Sequence, residues 1–469
     1  MGFKGSYSKA TLISMGALAA QVGFGLLAIA ILAKFLPKAQ FGNFIIALTA
    51  TQLAASVLST STERAALFVM SRQGKGVRPE EKSALIVIAG LTGAVGTLVC
   101  LLVSMVIGDF GAEAVAGWVA WLSPLMFATC FRATINACLR ASLRTTTFAL
   151  LEYAMPATIR VAGLLVVVLM NTSATTPLVS TVFVVSALLP AFLGLAALLP
   201  TLGMPQAIRQ RGLVRYGLTV MMTKLTSEPN KTLDVVLVGA LTSPVVAADY
   251  GLASRLTNAL SLVKQALDTL LVPRIGRLHA AGNKPQLLKE YALARDAGLA
   301  ALLVASLCFC IVGRPLLLYL GDYQDAYALV LMLLAGSVLR VGVGSTGNYL
   351  NMIGRPGMNL VATGLGVGTL VVSSSLFIPA MGAEGGAFAV ILSQLVMNGC
   401  ALIIAKRVDH VLLVTPVTLS ILIASTVALI ALAFGLVPAW LSSVLLAFLV
   451  LVLLNRHFSL PFKVNGANT

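Results

Sequence analysis

Apolar residues run along the chain in blocks of about 20, separated by short polar breaks, and about 20 apolar residues is what one membrane-crossing helix needs. The blocks predict fourteen helices near 11–33, 41–62, 84–107, 114–137, 148–170, 178–200, 217–240, 247–272, 296–320, 326–350, 358–379, 385–405, 412–434 and 438–455. The fourth, seventh and eighth carry more polar residues than the rest. The last two form a hairpin turning at Gly435–Trp440. The longest connections run from Arg64 to Ser83 and from Pro273 to Arg295, too short for a further domain. The expected fold is an all-α polytopic membrane protein.

Composition supports this pattern. Only 10% of the 469 residues are charged and 58% are hydrophobic, against roughly 25% charged in a soluble domain. An ordinary soluble enzyme, a disordered chain and a disulfide scaffold are excluded. Lys and Arg number 32 against 16 Asp and Glu. With the N-terminus cytoplasmic, twenty-two of those cations fall in inside segments, three outside and seven within helices. The inside set includes Lys4, Lys9, Arg64, Arg72, Lys75, Arg78, Lys82, Arg140, Arg144, Arg209, Arg211, Arg274, Arg277, Lys284, Arg295 and Lys463. This asymmetry is the positive-inside rule, and it places both termini in the cytoplasm. Most of the basic excess therefore sets topology, and no nucleic-acid partner is expected.

Catalytic chemistry leaves no mark. There is no Walker A sequence, no His-Glu-x-x-His and no Gly-x-Ser-x-Gly with partners. The six cysteines, at 100, 130, 138, 308, 310 and 400, lie in apolar helices without metal spacing and read as small buried hydrophobes. No catalytic residue, metal site or cofactor is expected. The run from Thr11 to Ala33 is too long for a signal-peptide core and reads as an uncleaved first helix.

A weak internal repeat suggests two parallel halves. Ala39-Gln40-Phe41-Gly42 follows the first helix, and Ala248-Asp249-Tyr250-Gly251 follows the seventh. Two bundles of six helices about a shared cavity is a transporter plan.

Ionisable residues inside spans are costly and mark functional positions. Seven cations lie there: Arg132, Arg160, Lys224, Lys231, Arg255, Lys264 and Arg340. Glu152, Glu228, Asp234 and Asp268 are the deep acids. Lys224, Glu228, Lys231 and Asp234 share one face of the seventh helix, and Pro229 within that stripe is expected to kink it as a hinge. Either this face lines a water-filled path, or its ions pair to hold the bundle. Lys264 and Asp268 are four apart and can pair, as Glu152, Pro156 and Arg160 share a face at intervals of four. The acid nearest Arg255 along its own helix is Asp249, more than a turn away. Surplus cations suit an anionic passenger with phosphate oxygens. Gly342 to Gly347 weakens the tenth helix.

Several stretches resemble bacterial polysaccharide and O-antigen repeat-unit flippases of the multidrug/oligosaccharidyl-lipid/polysaccharide exporter superfamily. They are LAKFLPKAQFG from Leu32, DVVLVG from Asp234, ADYGLASRL from Ala248 and LVPRIGRLH from Leu271. The resemblance implies 14 transmembrane helices in two six-helix lobes, 1–204 and 205–408, in a V-shaped arrangement, with two further helices and a cytoplasmic tail at 409–469. It implies export by alternating access of undecaprenyl-diphosphate-linked oligosaccharides across a bacterial inner membrane. On it, Arg132, Arg160, Lys224, Lys231, Arg255 and Arg340 become binders of diphosphate or acidic sugar. Glu152, Glu228, Asp234 and Asp268 become their partners or sites for a coupling H+ or Na+. Membrane lipids, a polysaccharide polymerase and chain-length or export proteins are implied partners. Three alternatives stay open: a multidrug antiporter of the same superfamily, a lipid II flippase, and a non-transporting membrane assembly protein.

Overall fold

The computed structural model describes residues 2–71, 79–142, 144–170, 175–205 and 213–458, and all their regular structure is helical. Arg72, Lys75, Arg78, Arg209, Arg211 and Lys463 lie outside the described residues, as do the side chains of Lys4, Lys9 and Lys231. The chain divides into two compact units, Met1–Val236 and Leu237–Thr469.

The first unit holds α1 (Gly2–Phe35), α2 (Lys38–Ser71), α3 (Pro79–Asp109), α4 (Glu113–Leu122), α5 (Pro124–Ala141) and α6 (Thr145–Ala149). A π-helical turn, Leu150–Ala154, leads into α7 (Met155–Leu169), then come α8 (Thr176–Leu198) and α9 (Leu213–Ser227). The boundary falls inside α10 (Pro229–Leu241). The second unit continues with α11 (Pro244–Leu260), α12 (Leu262–Ala280), α13 (Lys284–Leu320), α14 (Ala326–Gly342) and α15 (Thr346–Met352). It ends with α16 (Pro356–Met381), α17 (Ala383–Asp409), α18 (Pro416–Ala433) and α19 (Ala439–Phe458).

Among the described residues, eleven helical segments are long and apolar enough to cross a membrane, against the fourteen expected. The difference lies at three places. The seventh predicted helix is two, because α9 closes with Glu228 N–H on Lys224 O at 2.9 Å and Pro229 starts α10. Proline needs no N–H partner in a first helical turn. Pro229 therefore begins a helix rather than kinking a continuous one, and the stripe from Lys224 to Asp234 is shared between two helices. The eighth is also two, meeting at Ser261. In α19 the apolar stretch, Ala439–Asn455, is short.

Two expected loops shrink as well. α2 runs on to Ser71 and α12 to Ala280, with Pro273 inside α12, and α13 begins at Lys284. A helix of 37 residues such as α13 spans about 55 Å at 1.5 Å per residue, so it projects well beyond the hydrocarbon layer. The tenth helix breaks as its glycines suggest. Gly344 takes φ of +84° between α14 and α15, a conformation that glycine adopts at no steric cost.

In the first unit α2 packs on α3, α4, α5 and α9, α3 packs on α4 and α5, and α5 packs on α8. Gly93 permits the α3–α5 approach, since a Cβ there would stand 2.7 Å from Phe127 Cα. Its core joins Leu85, Phe131, Ile135, Leu139, Leu151 and Leu198. Only 22% of the α3 span is buried, against 67% in α2, so α3 is a peripheral, lipid-facing helix. In the second unit the α14–α15 span is 89% buried. It is the central helix there, with α11, α13, α17 and α18 around α14, and α14 is largely apolar as such a position demands. The two repeat tetrapeptides fall in α2 and α11, where Phe41 and Tyr250 are both fully buried. The cysteines form no disulfide; Cys130, Cys138 and Cys310 are buried, Cys100 and Cys400 intermediate and Cys308 exposed.

Candidate functional site

In the first unit the charged residues gather around the π turn. Met155 N–H bonds the carbonyl five residues back, that of Leu150, which inserts one extra residue into the helix. Such insertions are frequent at functional sites. Pro156 has no N–H to offer the carbonyl four residues back, that of Glu152. Arg132 on α5 fills the gap, with Nη1 donating to Glu152 O at 3.1 Å and standing 2.8 Å from Glu152 Oε2. Asn136, one turn along α5, also donates to Glu152 Oε2. The carboxylate therefore faces α5 and is paired there. Arg160 lies with its guanidinium over the Phe183 ring, 4.5 Å from the centroid. One turn beyond Asn136, Arg140 pairs with Glu63 of α2 and stacks over Phe148 at 4.8 Å. Lys224 of α9 and Glu228, at the break after it, form a pair at 2.5 Å. Lys231 and Asp234 are on α10, where Asp234 is 7% exposed.

In the second unit Lys264 Nζ lies 2.8 Å from Asp268 Oδ2, as the spacing of four predicted. Ser345, placed by the turn at Gly344, donates to Asp268 and accepts from Lys264 at 3.3 Å. Tyr291 donates to Val343 O at 2.9 Å and lies 3.0 Å from Thr346 Oγ1. A very small enclosed cavity is lined by Lys264, Asp268, Tyr291, Arg295 and Ser345. Arg340 donates to Ser261 Oγ at 3.2 Å. Arg255 is half-buried on α11.

The sequence missed one buried pair altogether. Arg295 and Asp296 are each 1% exposed in their side chains, 2.7 Å apart. Arg295 also donates to Leu413 O at 2.5 Å and to Thr418 Oγ1 at 3.1 Å. It had counted only as an inside charge setting topology. Lys284, likewise counted, pairs with Asp409, which also accepts from Tyr349. The only sequence signal was the adjacency of Arg295 and Asp296 in an apolar context.

Arg132 is thus matched by Glu152, Lys224 by Glu228 and Lys264 by Asp268. All six side chains in these pairs are between 15% and 26% exposed, reachable enough to exchange a carboxylate for a phosphate oxygen. Among the described residues no group of three His, Cys, Asp or Glu could hold a metal ion.

The family model for polysaccharide biosynthesis proteins matches residues 8–279, more than half of the chain. No curated protein matches the sequence. Among solved structures, the lipid II flippase MurJ in an inward closed conformation is similar with a TM-score of 0.73 at 11% identity, over 96% of this chain and 99% of that one. An inward-facing multidrug resistance transporter of the MATE family and MOP superfamily gives 0.68 at 14% identity, over 85% and 98%. A MOP superfamily transporter from Pyrococcus furiosus, described with a binding pocket of reverse polarity, gives 0.58 at 13% identity, over 87% and 96%. At these identities the likeness is one of fold. The chain belongs to the polysaccharide biosynthesis protein family, and it shares its fold with the MurJ and MATE structures.

Proposed function

We propose that the protein flips undecaprenyl-diphosphate-linked oligosaccharide repeat units across the inner membrane of a bacterium, for exopolysaccharide or O-antigen synthesis. The observation that carries this reading is the polysaccharide biosynthesis match over residues 8–279. The charged interior supports it, because arginine and lysine bind phosphate oxygens through charge-assisted hydrogen bonds. The same cations would repel a cationic drug.

In the first unit the sugar-diphosphate head exchanges with carboxylates at Arg132 and Lys224, with Arg160 and Lys231 as further cations; in the second unit Arg255 and Arg340 are candidate binders. The prenyl tail stays in lipid throughout. Glu152, Glu228, Asp234 and Asp268 take back the cations once the head leaves, or carry a coupling proton or sodium ion. The break at Glu228–Pro229 is a place where α9 and α10 can turn against each other. Fourteen crossings, lobes at 1–204 and 205–408 with a terminal pair at 409–469, both ends cytoplasmic, and contacts with a polymerase or chain-length and export proteins belong to the same proposal.

Deletion of the gene tests it. Surface polysaccharide should disappear and lipid-linked repeat units accumulate. Alanine at Lys231 or Arg255 should lower export while the protein still folds, and normal polymer output from both would count heavily against a cationic site. A second reading, lipid II transport, is favoured by the fold likeness to MurJ. It would show instead as a cell-wall defect with surface polysaccharide intact.

A further inference from the structure

The Arg140–Glu63 pair has no part in the transport scheme above, yet it stands in line with the Arg132–Glu152 pair. Arg132, Asn136 and Arg140 are spaced 4 and 4 along α5, which stacks their side chains in one row. Eight residues put about 12 Å between the two arginines along the helix axis. Asn136 donates to Glu152, the carboxylate that also takes Arg132. Arg140 pairs instead with Glu63, which α2 brings in as it packs along α5. Exposure of the arginine side chains rises from 18% at Arg132 to 35% at Arg140, toward the end that the charge pattern places inside.

The two pairs belong to one polar region. Tyr153, next to Glu152 in the π turn, lies within electrostatic reach of Glu152, Arg140 and Arg132. Its ring meets Phe148 edge-on with centroids 5.8 Å apart, and Arg140 covers the same Phe148 at 4.8 Å. Tyr153 is half-buried, and its hydroxyl has no hydrogen-bond partner among the described residues. Arg132 and Arg140 each hold a buried Nε–H without an acceptor there. An unmade bond of that kind is costly, and an oxyanion taken side-on by the guanidinium fork would make it.

A diphosphate is too compact to bridge arginines about 12 Å apart. A cargo head that engages both must carry a second anionic group beyond its diphosphate. On a glycan, the carboxylate of an acidic sugar is such a group, and its planar pair of oxygens is what Glu63 already presents to Arg140.

We propose that Arg140, Glu63 and Tyr153 form a subsite for an acidic sugar of the cargo. With the diphosphate at Arg132, the sugar carboxylate replaces Glu63 on Arg140, and the Tyr153 hydroxyl bonds the sugar. Glu63 takes Arg140 back when the cargo leaves. This rests on the reading of the cargo as a glycan on a polyprenyl diphosphate, and it adds that the glycan is acidic.

The test uses the full chain in phosphatidylethanolamine–phosphatidylglycerol liposomes. The probes are two fluorescent undecaprenyl-diphosphate trisaccharides of equal length, one neutral and one ending in glucuronic acid. The unmutated protein should move the acidic lipid about tenfold more efficiently than the neutral one, as a hydrogen-bonded charge warrants. Arg140→Ala should collapse that ratio toward one, and Arg140→Lys should keep part of it. Glu63→Gln removes the competing carboxylate and should lower the KM for the acidic lipid, whereas a pair that only braced α2 against α5 would lose transport of both lipids alike. A ratio unchanged in Arg140→Ala, whether both rates fall or neither does, overturns the subsite. So does a ratio near one in the unmutated protein. In both cases the cargo reading stands. Movement of neither lipid by the unmutated protein overturns the cargo reading, and the subsite with it.

Discussion

Two clusters of charge, one in each unit, are built from the same residue types and do opposite things. In the first unit Arg132 and Glu152 keep 18% and 25% of their side-chain surface exposed. Arg132 holds a carbonyl that Pro156 set free, beside a π turn. In the second unit Arg295 and Asp296 are sealed at 1% each, and the guanidinium spends its donors on Asp296, a carbonyl of the α17–α18 connection and a threonine of α18. A buried pair with every guanidinium nitrogen bonded is a strut joining α13 to the start of α18. A partly exposed pair beside a helix with an extra residue can exchange partners. Exposure and backbone regularity, rather than charge, separate the proposed site from the scaffold.

The largest expected effect lies in the strut. Arg295→Ala leaves Asp296 buried without its cation, which costs about 3–5 kcal/mol. Thermal unfolding of the purified protein should show a sharply lowered midpoint or failure to accumulate. If this variant folds normally and loses only transport, the division between strut and site collapses.

Next comes Arg132→Ala, which should cost transport about tenfold or more while the midpoint moves little, as removal of an interaction made during function would. Glu152→Gln should be milder. In a double-mutant cycle the two should couple by about 0.5–3 kcal/mol, since they are in contact. Strictly additive losses would mean that Arg132 does not act through Glu152.

Asp268→Asn should then lower transport by a smaller factor, because Ser345 still holds Lys264. The exchange of Lys264 and Asp268 with one another should recover part of the loss. An exchange variant as poor as the single one would show that position, not pairing, matters there.

The smallest effect is expected for Pro156→Ala. It restores an N–H that competes with Arg132 for the Glu152 carbonyl. Stability should be nearly unchanged or slightly raised, and transport slowed if the π turn is needed. Hydrogen exchange over 150–160 would report whether the turn has become α-helical.

Much of the fold could be read from apolar block lengths, because the bilayer imposes one length on every crossing. The same rule misled at the seventh and eighth helices. Block length says nothing of a break at Glu228–Pro229 or Ser261, where backbone or side-chain hydrogen bonds replace helical ones. In-helix pairs such as Lys264–Asp268 and Lys224–Glu228 were legible because a spacing of four stacks side chains. Arg132–Glu152, Arg140–Glu63 and Arg295–Leu413 were not, since a helical period carries no information about which helix stands opposite. The π turn had a partial signal in Pro156. Its consequence, a carbonyl taken by an arginine twenty residues earlier, depends on packing alone.

The central claim is that the cargo is a glycan on a polyprenyl diphosphate. Purified protein in liposomes, given a fluorescent oligosaccharide on undecaprenyl diphosphate in one leaflet, tests it most directly. The account predicts translocation about tenfold or more above protein-free vesicles, falling toward that background in Arg132→Ala. No translocation of this lipid, alongside protein-dependent movement of a cationic drug, would contradict it.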